Sequence, residues 1–319
     1  MIPIKRWLII VILAVMLFSF TACGAAITQT MPDDGGKLKI ITTNFPLYDF
    51  CRAIGGEQVS ITMLIPPGSE AHTYEPTPQD VIAIRNCDAF FYIGGESDAW
   101  VEGILSSMDQ AFPAIALMQS ELTLFAEETG KAILAQDEDH EEGGAYDEHI
   151  WTSPMNAKLM IERITEVLSV CDPDHNEGYF TAREEYLQKL DTLDAAFRDT
   201  IESGVHDTII FADRFPFLYF VREYGLNYYA AFPSCAAEAE PSAAVVSSLI
   251  EKVREEDVPA VFYIELSNRK MADLVSGEAG VKALQFHSCQ NVTKDEFQNG
   301  VTYLSIMEQN LNNLKIALG

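Results

Sequence analysis

The chain has 319 residues, 48% apolar and 22% charged, with 21 basic against 48 acidic side chains for a net charge of −27. That length carries two ordinary domains with cores for both, which excludes global disorder, a disulfide miniprotein and a polytopic membrane protein. The carboxylate excess repels phosphate backbones and anionic lipid and draws small cations, so no nucleic-acid partner is expected.

Residues 1–22 read as a lipoprotein signal peptide. Lys5 and Arg6 give a positive start, and the uncharged run 7–20 is too short to span a bilayer comfortably. Thr21-Ala22-Cys23-Gly24 is similar to a bacterial lipobox, with Phe20 where Leu is usual. On that reading Cys23 is lipidated, becomes the mature N-terminus and anchors the protein outside the bacterial cell membrane. An ordinary signal peptide with a chance cysteine is the alternative. Residues 23–36, rich in Thr, Gly, Pro and Asp, read as a flexible tether. Export places the remaining cysteines in a disulfide-permissive compartment. The expected pairs are Cys51 with Cys87 and Cys235 with Cys289, leaving Cys171 over. Buried free thiols are the alternative.

Short apolar runs then alternate with amphipathic stretches. Residues 38–43, 59–64, 89–93 and 114–118 read as strands. A helix begins at Asn44-Phe45-Pro46, and Thr77 with Pro78 opens another as cap and first-turn proline. Within 173–203, Tyr179, Tyr186, Leu190, Leu193, Phe197 and Ile201 fall on one helix face. A helix of that length is a rod of about 40 Å. A second series follows, with strands at 208–211, 228–232, 260–264 and 281–286 and helices near 217–224, 243–255 and 304–318. The expected fold is α/β: two lobes with mainly parallel sheets, 37–172 and 204–319, joined by one long helix at 173–203.

Of six histidines, His72, His149 and His287 lie at the ends of expected elements, where open α/β sheets bind ligands. His140, in the acidic run 136–144, reads as part of a weak electrostatic collector for cations at most; His175 and His206 read as surface residues. No short metal-ligand motif links the first three by spacing alone.

Longer segments carry more information. Gly68-Ser69-Glu70-Ala71-His72-Thr73-Tyr74-Glu75-Pro76-Thr77-Pro78-Gln79-Asp80 resembles the metal-binding loop of the zinc/manganese ABC-transporter solute-binding lipoproteins. The run 94–100 is similar to that family's Gly-x-x-x-Asp-x-Trp turn, and His149-Ile150-Trp151-Thr152-Ser153-Pro154 to its second histidine motif. Residues 303–311 resemble its final helix. The resemblance covers 37–319 and implies a metal between the lobes, usually with two ligands from each.

His72 and His149 map onto the first-lobe ligands. In the second lobe Arg214 takes the usual third-ligand position, and a guanidinium cannot coordinate a cation. His287, near the family's last Asp, is the best third ligand, and Asp213 is the tentative substitute for Arg214. Arg214 is expected to pair with Asp213, Glu238 or Glu240. Imidazole donors favour Zn²⁺ over Mn²⁺. The implied function is non-catalytic: a monomeric, lipid-anchored receptor that captures Zn²⁺ and delivers it to an ABC transporter permease. A manganese receptor, a secreted zinc-dependent hydrolase and a role in cell adhesion are the alternatives.

Overall fold

Strands that carry apolar side chains on both faces need covering on both sides, the habit of a parallel sheet. β1 (Leu38–Thr42), β2 (Val59–Met63), β3 (Ala89–Tyr92) and β4 (Ala114–Ala116) pair in parallel in the order β2-β1-β3-β4. Leu38, Ile40, Ala89 and Phe91 enter a large core on one face, while Ile41 and Phe90 enter a smaller one with Ile84 and Val101 on the other. The computed structural model describes residues 36–108, 112–120, 122–127, 146–234 and 242–319. Lys37–Gly319 form one unit.

Helices α1 (Phe45–Gly55), α2 (Pro78–Arg85) and α3 (Trp100–Leu105) flank the first sheet. A reciprocal capping box between Thr77 and Asp80 starts α2, with Pro78 in its first turn. α4 (Pro154–Cys171) then leads into α5 (Asn176–Ser203), a helix of 28 residues and so about 42 Å long.

The second sheet repeats the logic. β5 (Thr208–Phe215), β6 (Asn227–Pro233), β7 (Ala260–Tyr263) and β8 (Lys282–Gln285) are parallel in the order β6-β5-β7-β8. Between and after them run α6 (Leu218–Tyr224), α7 (Ala243–Glu255), α8 (Lys270–Ala279), α9 (Lys294–Gln298) and α10 (Tyr303–Leu318). Ile210, Ala212 and Val261 pack on Leu249, Val253 and Val275 of α7 and α8 in a core of their own. The opposite face, with Ile209, Phe211 and Phe262, joins the same large core that covers the first sheet. Tyr179, Tyr186, Leu190, Leu193 and Phe197 of α5 complete that shared core. Phe286 makes ring contacts in it with Phe217, Phe220 and Phe262 at centroid distances of 4.9, 5.3 and 5.1 Å. Each fully buried Phe contributes about 1.5–3 kcal/mol, so separating the lobes would expose a continuous apolar layer.

The two-lobe α/β architecture agrees with the reading from sequence. β5 runs four residues beyond its expected end, with a register shift between Phe211 and Arg214, and so carries Asp213 and Arg214 within the strand. The run 114–118 splits into β4 and a 3₁₀ turn, Leu117–Gln119. Helix α4 was not expected, although Ser153 caps it from the Asn156 N–H and Pro154 opens it.

The cysteine pairs require correction, since Cys51, Cys87, Cys171 and Cys289 are free thiols. Cys51 packs in the large core and Cys87 in the smaller core on the opposite face of the first sheet, so the sheet separates them. Cys289 is buried and unbridged, and Cys235 lies outside the described residues. The signal peptide, Cys23, the tether up to residue 35, the acidic run with His140, Glu238 and Glu240 also lie outside them. Among the described residues no helix is long and apolar enough to cross a membrane.

Candidate metal centre

Parallel strands gather their C-terminal ends on one edge, and the loops there carry the polar side chains. The loop after β2 carries Glu70 and His72, the turn after β3 carries Ser97, and the segment before α4 carries Asp147, Glu148 and His149. His72, Glu148 and His149 each offer a donor atom within 4.8 Å of the others. The two imidazole centroids are 5.5 Å apart.

His149 is wholly buried, and Asp147 Oδ1 accepts both its backbone N–H at 2.8 Å and its ring Nδ1–H at 3.0 Å. The proton therefore sits on Nδ1, and Nε2 is left with a lone pair and no protein partner. Burial lowers the pKa of His149, but the charge and hydrogen bond of Asp147 outweigh it and the net shift is upward.

The ring of His72 is oriented through a relay. The Ser97 hydroxyl donates to Glu148 Oε1 while the Ser97 N–H donates to Glu148 Oε2 at 2.9 Å. With its proton so committed, Ser97 Oγ accepts from His72 Nδ1 at 2.8 Å, and the lone pair of His72 lies on Nε2. Burial, then the neighbouring His149, depresses the pKa of His72. Each imidazole is thus backed by a carboxylate, the arrangement that fixes the tautomer and raises the basicity of a metal-binding histidine.

The turn that presents Ser97 is held by Asp98, whose Oδ2 accepts the N–H groups of Ile93 at 2.7 Å and Gly94 at 3.1 Å. Burial, with the nearby charge of Glu148, pushes the Asp98 carboxyl up to about 7 against the two hydrogen bonds. Gly95 is required by close approach: a Cβ there would lie 2.3 Å from both Cβ and Oε2 of Glu148.

The second lobe is arranged differently. Neither Asp213 nor His287 joins the histidine group. Asp213 accepts the N–H groups of Arg214 at 2.8 Å and Ile264 at 3.3 Å, and burial raises its pKa despite these bonds. His287 Nδ1 accepts the Cys289 N–H at 2.9 Å, which puts the proton of the neutral ring on Nε2; that nitrogen, like His149 Nε2, is buried with no protein partner, but as a donor rather than a lone pair. Cys289 takes a left-handed φ of 64° in making this bond, an uncommon conformation for a non-glycine residue. Asn310 clamps the backbone of His287 from both sides at 2.8 Å.

Arg214 pairs with neither Asp213 nor a second-lobe glutamate among the described residues. Its two terminal nitrogens both hold Glu70 Oε2, at 3.1 Å each, across the cleft. Burial opposes ionisation of Glu70, but the charges of Arg214 and His72 prevail and hold the carboxyl below its ordinary value. The second-lobe side chain that reaches the histidines is Gln290, with Nε2 3.3 Å from His72 Nε2.

The loop carrying Gln290 is sewn to the first lobe. Asn291 Nδ2 donates to the carbonyls of Pro66 and Ser69 at 2.9 and 2.8 Å, and the Gly68 N–H donates to Val292 O at 2.7 Å. Trp151 Nε1 donates to Ser288 O at 2.7 Å, and the Tyr219 hydroxyl to Asp147 O at the same distance.

His72, His149 and Glu148 form a group that could hold a cation between two α/β lobes, and comparison with known proteins puts a family to the chain. The family described as zinc-uptake complex component A, periplasmic, matches residues 40–317. The chain belongs to it. This zinc-uptake family is one of metal-binding solute receptors rather than enzymes. The chain is 30% identical to the high-affinity zinc uptake system protein ZnuA of Bacillus subtilis, over 98% of each chain. It is 29% identical to the zinc-binding lipoprotein AdcA of Streptococcus pneumoniae, over 95% of this chain and 60% of that one, so it spans well under two thirds of that relative. The crystal structure of the Zn(II)-bound ZnuA-like domain of AdcA superposes with a TM-score of 0.74 at 29% identity, covering 89% of this chain and 99% of that one.

Sequence reasoning missed Ser97, Glu148 and Gln290 as site residues. Glu148 had a signal, being an acid beside a candidate ligand. Ser97 falls in the marked turn 94–100, but its partner Glu148 lies 51 residues on; Gln290 lies 218 from His72 and nothing local marks it.

Proposed function

We propose that this member of the zinc-uptake family is an extracytoplasmic receptor that captures Zn²⁺ between its lobes and delivers it to an ABC importer. It would be held at the bacterial cell membrane by lipid on Cys23, after removal of residues 1–22. The observation that carries the reading is the pair His72 and His149, each backed by a carboxylate, with the buried Nε2 of His149 unpartnered. Such an atom is costly to leave without a partner, and a metal supplies one. Imidazole nitrogen suits Zn²⁺ better than Mn²⁺, and Zn²⁺ takes it at about 2.0–2.1 Å. In this reading His72 and His149 are ligands, with their lone-pair nitrogens facing the ion.

Zinc competition against a chromophoric chelator tests it. One Zn²⁺ should bind per chain, Mn²⁺ should bind more weakly, and His72→Ala and His149→Ala should each remove tight binding. Equal or greater affinity for Mn²⁺ would sink the zinc assignment.

A further inference from the structure

We infer that the metal is held in this cleft together with a small carboxylate chelator whose anionic group docks on Arg214; the inference rests on the metal-capture reading above. The donors that converge are the imidazoles of His72 and His149 with the Glu148 carboxylate, both of whose oxygens already accept from Ser97, so an ion held by the histidines keeps open coordination positions. Across the cleft Arg214, paired with Glu70, presents a guanidinium that cannot coordinate the ion itself.

The described second-lobe carboxylates Asp213 and Glu265 do not fill those positions. Asp213 is tied to the N–H groups of Arg214 and Ile264, and Glu265 to the Ser288 N–H at 2.7 Å and to the Ser288 hydroxyl. Gln290 is uncharged. Two imidazoles leave a tetrahedral ion short of donors, and an anionic chelator supplies them.

Arg214 is already arranged for this. A guanidinium fork recognises carboxylate, and here both terminal nitrogens converge on one carboxylate oxygen of Glu70. Glu70 stands two residues from His72, with Oε1 3.5 Å from the His72 N–H, so the anion held by Arg214 is next to the metal loop. The Glu70 side chain is about one-third exposed, at 32%, and sits on a loop, where exchange for an incoming carboxylate needs no opening of the core. In this reading Glu70 occupies the chelator's place until the complex arrives. Binding is a ligand exchange: the imidazoles of His72 and His149 replace solvent ligands on the chelated ion while its carboxylate replaces Glu70 on Arg214.

The test is native mass spectrometry and zinc titration of the purified full chain, with ZnCl₂ alone and with citrate as the probe, compared at equal free Zn²⁺. Citrate should give a protein–zinc–citrate complex of one each and raise loading by about tenfold or more in affinity. Arg214→Gln should lose the ternary complex. Glu70→Gln, which leaves the guanidinium unpaired, should strengthen the citrate effect. Arg214→His, adding a third imidazole, should bind zinc alone more tightly and ignore citrate. If citrate only strips zinc from the wild-type chain, with no ternary complex and no difference in Arg214→Gln, the inference is overturned while zinc capture stands. If the wild-type chain binds zinc neither alone nor with citrate, the capture reading itself is overturned.

Discussion

The two halves of the cleft meet the same cation with opposite preparation. In the first lobe Asp147 and the Ser97–Glu148 relay set both histidines in the tautomer that turns a lone pair outward. In the second lobe the lone pairs of matching chemistry are engaged elsewhere: His287 Nδ1 by the Cys289 N–H, which leaves its Nε2 a donor, and Asp213 by two backbone N–H groups, while Arg214 holds Glu70. A side chain's type therefore says little about ligation until the partner of its other polar atom is known. The first lobe turns two imidazole lone pairs to the cleft; the second faces them with an arginine held by Glu70 and with Gln290.

The sharpest way to break this asymmetry is to remove a first-lobe imidazole. His149→Ala should weaken zinc by more than about a hundredfold in competition titration, above the range for losing an orienting partner. Near-native affinity would place the ion elsewhere. The orienting residues come next: Asp147→Ala, which frees the His149 ring to take the other tautomer, should weaken zinc by about 10–100-fold with the fold retained.

The same substitution in the second lobe should read differently. His287→Ala should change zinc affinity far less than His149→Ala, yet it leaves the buried Cys289 N–H without its acceptor. A stability loss of about 1–3 kcal/mol in denaturant unfolding is expected. A large zinc effect with intact stability would restore His287 as a ligand.

Acidity sharpens the contrast within the first lobe. The pKa of His149 is raised and that of His72 lowered, so His149, rather than His72, is the group whose proton first competes with the metal as the pH falls. Zinc affinity should fall on acidification from above the ordinary histidine range, with a slope nearer one proton per metal than two. The linkage for the metal-free fold has the opposite sign. Stability from the raised His149 pKa is fully present below about 6.5, the unfolded value, and is lost as pH rises through the folded value. Melting of metal-free protein across pH, compared with His149→Ala, measures it. The smallest effect expected is that of reductant: with Cys51, Cys87, Cys171 and Cys289 free, dithiothreitol should leave the melting temperature of the described fold unchanged.

Much of the fold was legible because it is written in local patterns. The helical face of α5 and the short apolar strands specify two parallel sheets on one long helix. Helix α4 was overlooked although its cap and proline mark it at Ser153 and Pro154. That His72 and His149 stand together was legible because each sits in a long distinctive segment. The surroundings of the second-lobe residues were not. Which nitrogen of His287 is free depends on a backbone N–H two residues on, held there by a left-handed cysteine. That Arg214 finds Glu70 depends on a contact across 144 residues, and periodicity carries no such information. The cysteine pairing failed for the same reason, since sequence does not say that a sheet stands between Cys51 and Cys87.

The central claim is that the histidines of the first lobe hold the ion. A crystal structure of the zinc-loaded chain, with anomalous differences collected on both sides of the zinc edge, tests it most directly. The account predicts one peak in the cleft, about 2.0–2.1 Å from Nε2 of both His72 and His149, with His287 Nδ1 still bonded to the Cys289 N–H. A peak coordinated by His287 or Asp213 without the first-lobe pair would contradict it.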